Sequence, residues 1–167
     1  PVLFSGTLRF NIDPFAEYTD EQVWQALREV QMIDRIQSNP LHLQAIVSEN
    51  GSNFSVGEAQ LICIARALLR RSTVVLLDEA TASCDGRTDE LIQTVMRTAF
   101  KDATVLTIAH RLETIIFYDR IAVVENGQIS ECASPKDLLS DPSSTFTALV
   151  NEMGEESSQK MRHFVGL

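Results

Sequence analysis

Positive charge is scarce in this chain: 14 Lys and Arg stand against 23 Asp and Glu, for a formal net charge of −9 and a pI near 4.7. A surface built to grip a nucleic-acid backbone collects basic residues, so no nucleic-acid partner is expected. Local phosphate binding is not excluded, because backbone N–H groups, a few cations and a divalent metal suffice for it. Cysteines are few and odd in number (Cys63, Cys84, Cys132) and have no metal-type spacing. They read as free thiols in a reducing compartment such as the cytosol. No apolar run approaches ~18 residues and no signal peptide opens the chain, so these residues are not expected to span a membrane. The seven glycines are scattered, and none precedes a Lys-Ser or Lys-Thr pair. The Gly-x4-Gly-Lys-Ser/Thr phosphate loop is therefore missing from these residues. An initiating Met is missing too: the chain opens on the apolar run Pro1-Val2-Leu3-Phe4, which reads as the interior of a longer polypeptide.

With 167 residues, 44% hydrophobic and 22% charged, the chain is long enough for one domain with a sizeable core. Its organising stretch is Ser72-Thr73-Val74-Val75-Leu76-Leu77-Asp78-Glu79-Ala80-Thr81-Ala82-Ser83. A continuous run of β-branched and leucine residues fits a strand buried on both faces, as in a parallel sheet. Asp78 and Glu79 then fall at the carboxyl end, where open α/β sheets place their ligands. Adjacent acids beside a core strand are costly unless a cation or a catalytic task uses them. Neighbours at a strand end point in different directions, so one acid can serve a metal and the other a water.

Around this strand the pattern alternates. Residues 1–15 are aromatic-rich with turn residues and read as irregular structure that packs. Thr19 and Gln22 make a capping box for a helix running to about Ile33, with Val23, Leu27 and Val30 inward. Residues 47–53 are polar and read as a loop. Ser55 and Glu58 make a second capping box, opening a helix with Leu61, Ile64, Ala65, Leu68 and Leu69 on one face. By themselves those two residues describe only a well-capped helix. Another helix starts at Asp85 or Gly86 with Leu91, Ile92, Val95 and Met96 as its core face. Ala103–Ile108 is a second buried strand and Arg120–Val124 a third; Asn126-Gly127 then turns the chain back antiparallel. Ser134, with Pro135 behind it, caps a short helix, a last helix covers 144–153, and 154–167 reads as a frayed polar tail. Strands alternating with helices give an α/β fold on a mostly parallel sheet. The helical stretch before the first clear strand is too long for one crossover and looks inserted.

The order FSVGEAQ, ARALLRR, VVLLDEATAS, SCDGRTD, TIAHRL resembles the ATP-binding cassette ATPases. The opening PVLFSGTLRFNIDPF and the Val in FSVGEAQ resemble most the second nucleotide-binding domain of the multidrug-resistance-associated C subfamily. The resemblance covers residues 1–153. It implies a P-loop NTPase-type fold, incomplete here, with a helical subdomain over about 16–71 and a core over 72–153. It implies ATP and Mg²⁺ as ligands. Ser55, Val56, Gly57 and Glu58 become the signature that meets ATP held by a partner domain. Asp78 becomes the Walker B aspartate, holding Mg²⁺ through its water shell. Glu79 becomes the catalytic glutamate, Ser83 and Asp85 part of the D-loop, and His110 the switch histidine sensing the γ-phosphate. The chain departs from the usual pattern at Glu58 (commonly Gln), Ala59 (often Arg), and Gly86-Arg87 (commonly Pro-Glu). An acid near a phosphate is repulsive unless its carboxylate is held back toward its own helix cap.

The implied function is part of the ATP-hydrolysing domain of an exporter on the cytosolic face of a membrane. Its partners would be a second nucleotide-binding domain, in the same polypeptide, and transmembrane domains. Alternatives are a non-hydrolysing dimerisation or regulatory half, and a soluble cassette ATPase. Without a phosphate loop, these residues alone are expected to bind ATP weakly or not at all.

Overall fold

The computed structural model describes residues 1–78, 86–109 and 111–167, and the chain divides into two compact units, 1–108 and 109–167. The first unit begins with a two-residue strand β1 (Gly6–Thr7) and a short helix α1 (Leu8–Ile12), where the sequence suggested irregular structure. Thr7 caps α1 by accepting from the Phe10 N–H. Helix α2 (Asp20–Glu29) carries the expected capping box. The Thr19 N–H donates to Gln22 Oε1 at 2.8 Å, and the Gln22 N–H donates to the Thr19 hydroxyl. It stops before the expected Ile33, because Gln31 takes a left-handed backbone (φ 57°) and α3 (Ile33–Gln37) starts in a new direction.

β2 (Ile46–Val47) shares only Val47 with the polar stretch read as a loop and runs antiparallel to β1 with Gly6 opposite Val47. Gly51 follows with φ 70°, and its missing side chain makes room for Leu3, whose Cδ1 would lie 2.9 Å from an added Cβ. Helix α4 (Val56–Leu69) then crosses the unit. It is buried on more than the expected stripe. Ile62, outside that stripe, is fully buried, while Leu68 is only partly covered. α1, α2 and α5 (Gly86–Ala99) all pack on α4, so one amphipathic face does not suffice.

Strands β3 (Val74–Asp78) and β4 (Thr104–Ile108) pair in parallel, Val74 opposite Thr104 through Asp78 opposite Ile108. The parallel pairing is as expected, but burial on both faces is not. Val75 is buried and Leu77 and Val105 pack on the core, whereas Val74, Leu76, Leu106 and Ile108 are 57–72% exposed. The apolar run therefore has one face packed by the helices of this unit and one face open. Asp78 lies on the open side, two residues beyond Leu76.

The second unit holds α6 (Leu112–Ile115) and the hairpin β5 (Ile121–Glu125) and β6 (Gln128–Ala133). The antiparallel return after Asn126-Gly127 is as expected, and among the described residues β5 and β6 form a two-stranded sheet of their own. Asn126 (φ 50°) and Gly127 (φ 77°) form its two-residue turn with the left-handed pair that such hairpins need. α7 (Pro135–Ser140) has Ser134 as N-cap and Pro at its first position. α8 (Thr145–Glu152) is capped by Ser144. Glu131 from β6 also accepts from the Ser144 hydroxyl and from the Thr145 and Phe146 N–H groups. Residues expected as a frayed tail form α9 (Glu155–Phe164) instead. Met161 anchors it in a core with Leu139, Phe146 and Val150, and Arg162 donates to the Leu139 carbonyl. Its polarity is that of a helix with one narrow buried stripe, which sequence composition hides.

Candidate functional site

The amino end of α4 is the best-defined part of the site. Its N-cap, Ser55, has extended backbone (φ −66°, ψ 161°), as a cap must. The Glu58 N–H donates to the Ser55 hydroxyl at 3.1 Å, and the Ser55 N–H donates to Glu58 Oε2 at 2.8 Å. This capping box uses the amides of Ser55 and Glu58. It leaves those of Val56 and Gly57 without a partner among the described residues. Two orphan N–H groups at the positive end of a fourteen-residue helix favour an anion. Ser55 and Val56 are exposed there, and the Ser55 hydroxyl still has a proton to donate.

Glu58 is the acid that could spoil such a site. Its second oxygen, Oε1, accepts from Arg35 Nε on α3 at 2.8 Å. The Arg35 guanidinium also lies over the Phe54 ring, 5.6 Å from its centroid. Both carboxylate oxygens are therefore engaged within the chain, and the charge is countered. Sequence reasoning missed Arg35. It lies 23 residues from Glu58, and no local pattern links them.

Gly57 is buried. An added Cβ would stand 2.2 Å from Thr88 Cγ2 on α5. What its absent side chain admits in this chain is thus a neighbouring helix, not open space for a ligand.

Asp78 is exposed at the carboxyl end of β3. Mg²⁺ needs few protein ligands: it keeps several waters and takes one or two carboxylates besides substrate phosphates. A single exposed carboxylate at a strand end fits that demand. Among the described residues no group of three or more His, Cys, Asp or Glu could hold a metal ion. Glu79, Ser83, Asp85 and His110 lie outside the described residues, as does Cys84. His42 and His163, read as surface residues, are exposed; His42 meets the Trp24 ring edge-on at 6.2 Å.

The opening segment is fastened beside α4. Asn11, buried, accepts from the Phe4 N–H and donates to the Phe4 and Thr7 carbonyls; Arg66 of α4 donates to the Asn11 carbonyl at 2.7 Å. Asp13 takes three hydrogen bonds, from Arg9 and from the Glu17 and Tyr18 N–H groups. Burial pushes its carboxyl up, yet the bonds from Tyr18, Arg9 and Glu17 together hold it below its ordinary value.

A capped Ser-x-Gly helix is followed by a parallel strand that ends on Asp78. The chain belongs to the ABC transporter family: the family profile described as "ABC transporter" matches residues 3–82. It is 50% identical over 155 residues to ATP-binding cassette sub-family C member 4 of Mus musculus, covering 93% of this chain and 12% of that protein. ABC transporter C family member 3 of Dictyostelium discoideum is 51% identical over 162 residues, 97% of this chain and 12% of its own. ABC transporter C family member 6 of Arabidopsis thaliana is 48% identical over 162 residues, 97% of this chain and 11% of its own. The chain thus spans about an eighth of the length of these relatives. Among the described residues, no helix is long and apolar enough to cross a membrane.

Proposed function

We propose that the chain is part of the ATP-binding and ATP-hydrolysing domain of a C-subfamily exporter, most like its second nucleotide-binding domain. The observation that carries this reading is the open end of α4, where capping leaves the Val56 and Gly57 amides for a phosphate. Identity of about half to C-subfamily proteins over nearly the whole chain supports it.

In this reading Ser55, Val56 and Gly57 bind the γ-phosphate of ATP held by a second nucleotide-binding domain in the same polypeptide. Glu58 holds the shape of that turn through the Ser55 amide. Asp78 would hold the water shell of Mg²⁺, and Glu79 positions or deprotonates the attacking water. Mg²⁺, when bound, neutralises charge on the transferring phosphoryl group. His110 contacts the γ-phosphate, and Ser83 and Asp85 lie in the segment that reaches the partner domain. Hydrolysis then drives transmembrane domains of the same protein, with this domain on the cytosolic face.

A second reading, a half that binds nucleotide without hydrolysing it, rests on the departures at Glu58 and Ala59. The engagement of Glu58 by Arg35 and Ser55 weakens it, since the repulsion it relied on is countered. Replacing Glu79 by Gln in the complete protein tests the choice. Turnover at the site containing Glu79 should fall by about 10²–10³ while ATP binding persists. Undiminished turnover at that site would rule out the role given to Glu79, and no turnover there before substitution would favour the non-hydrolysing half.

A further inference from the structure

We propose that Arg35 is a positioning residue for nucleotide: it neutralises Glu58 so that the amino end of α4 keeps its attraction for phosphate. The inference rests on the reading of α4 as the signature helix. Glu58 is needed where it stands, because its Oε2 takes the Ser55 N–H and so shapes the turn that presents the Ser55 hydroxyl. Its negative charge, however, sits within the first turn and opposes the field that draws an anion there. Arg35 answers with Nε on Glu58 Oε1 at 2.8 Å, and Phe54 seats the same guanidinium at 5.6 Å. Phe54 immediately precedes the cap, so one cation is held by both sides of the turn it protects. The pair is partly exposed, at 45% for the Arg35 side chain and 26% for Glu58. An ion pair this wet adds little to folding, so its consequence is expected in ligand affinity.

The test uses ATP hydrolysis by the complete protein, with KM and kcat measured separately. Arg35→Ala should raise the KM for ATP about tenfold with kcat nearly unchanged, the scale of one unbalanced charge within ~10 Å of a phosphate. Arg35→Lys should restore most of it, because a point charge is enough. In a Glu58→Gln background, which keeps an oxygen for the Ser55 amide but no charge, Arg35→Ala should leave KM unchanged. A KM unmoved by Arg35→Ala, or an equal rise in both backgrounds, would overturn the proposal; the second pattern would assign Arg35 to packing on Phe54. If Arg35→Ala does not accumulate, the double variant is compared with Glu58→Gln alone: an equal KM supports the proposal and a tenfold higher one refutes it. Glu79→Gln assayed beside these separates the two levels. Lost turnover there with an unresponsive Arg35 sinks only this inference. Intact turnover sinks the reading beneath it, and the inference with it.

Discussion

Gly57→Ala probes the docking of α4 on α5, on which the shape of the site depends. A Cβ on Gly57 would lie 2.2 Å from Thr88 Cγ2 and 3.3 Å from Thr88 Cβ. Carbon atoms in contact sit at about 3.5–4.0 Å, so more than ~1 Å of room must be opened. Thr88 is β-branched and on a helix, with few alternative rotamers to retreat into. Overpacking of this kind costs about 1–3 kcal/mol. Against it stands the gain from Ala over Gly inside a helix, about 0.5–1 kcal/mol. The net expectation is a loss of about 1–2 kcal/mol. Urea unfolding of the 167-residue chain, followed by fluorescence of its single tryptophan, Trp24, reads this directly. The coupling should be visible in a double-mutant cycle. In a Thr88→Ala background, where the methyl that clashes is gone, Gly57→Ala should be neutral or stabilising. Stabilisation of the Thr88-containing chain by Gly57→Ala would refute the close approach of the two helices.

Three further outcomes follow from the packing and the charges. Asp13→Asn should cost about 2 kcal/mol at neutral pH, because the amide keeps an oxygen for the Glu17 N–H but sets an NH2 group against Arg9 and the Tyr18 N–H, which Oδ2 now serves. Its folded carboxyl is held below the ordinary 3.8, so its contribution is whole above that pH and drains as pH falls through the depressed folded value. The gap between wild type and variant in denaturant midpoint should therefore narrow as pH falls below 3.8, and a gap constant with pH would contradict the assignment. Ile92→Ala should cost about 2–5 kcal/mol, because Ile92 is fully buried against the α4 side of the core. Leu76→Ser should cost the 167-residue chain under about 1 kcal/mol, since Leu76 is 72% exposed, yet lower the yield of the complete protein. Equal losses for the two in the short chain would mean that the face carrying Leu76 is packed after all.

Much of the local structure was legible because its signals are local. Both capping boxes, the Ser134-Pro135 helix start and the Asn126-Gly127 turn are decided by residues within four positions of each other. Three things were not legible, each for a reason of distance or partnership. The run Val74–Leu77 is apolar throughout, which predicts two covered faces. Composition cannot say which polypeptide does the covering, and this chain covers one. Residues 154–167 are too polar overall to suggest a packed helix, yet Met161 seats α9 in its core and Arg162 bonds the Leu139 carbonyl. Arg35 and Glu58 meet across two helices, and only the fold joins them. The Ser55, Gly57 and Asp78 constellation was visible as residue types in order. The acid's neutralising partner and the tight Gly57–Thr88 approach were not.

The central claim is that Asp78, Glu79 and His110 converge on the terminal phosphoryl group of one ATP, opposite a Ser55–Gly57 turn from the partner domain. A structure of the complete protein carrying Glu79→Gln, trapped with ATP and Mg²⁺, measures this most directly. The account predicts Asp78 in the hydration shell of the metal and residues 79 and 110 within hydrogen-bond reach of the γ-phosphate or its attacking water. Any of the three facing away from that phosphate, with nucleotide fully bound, would contradict it.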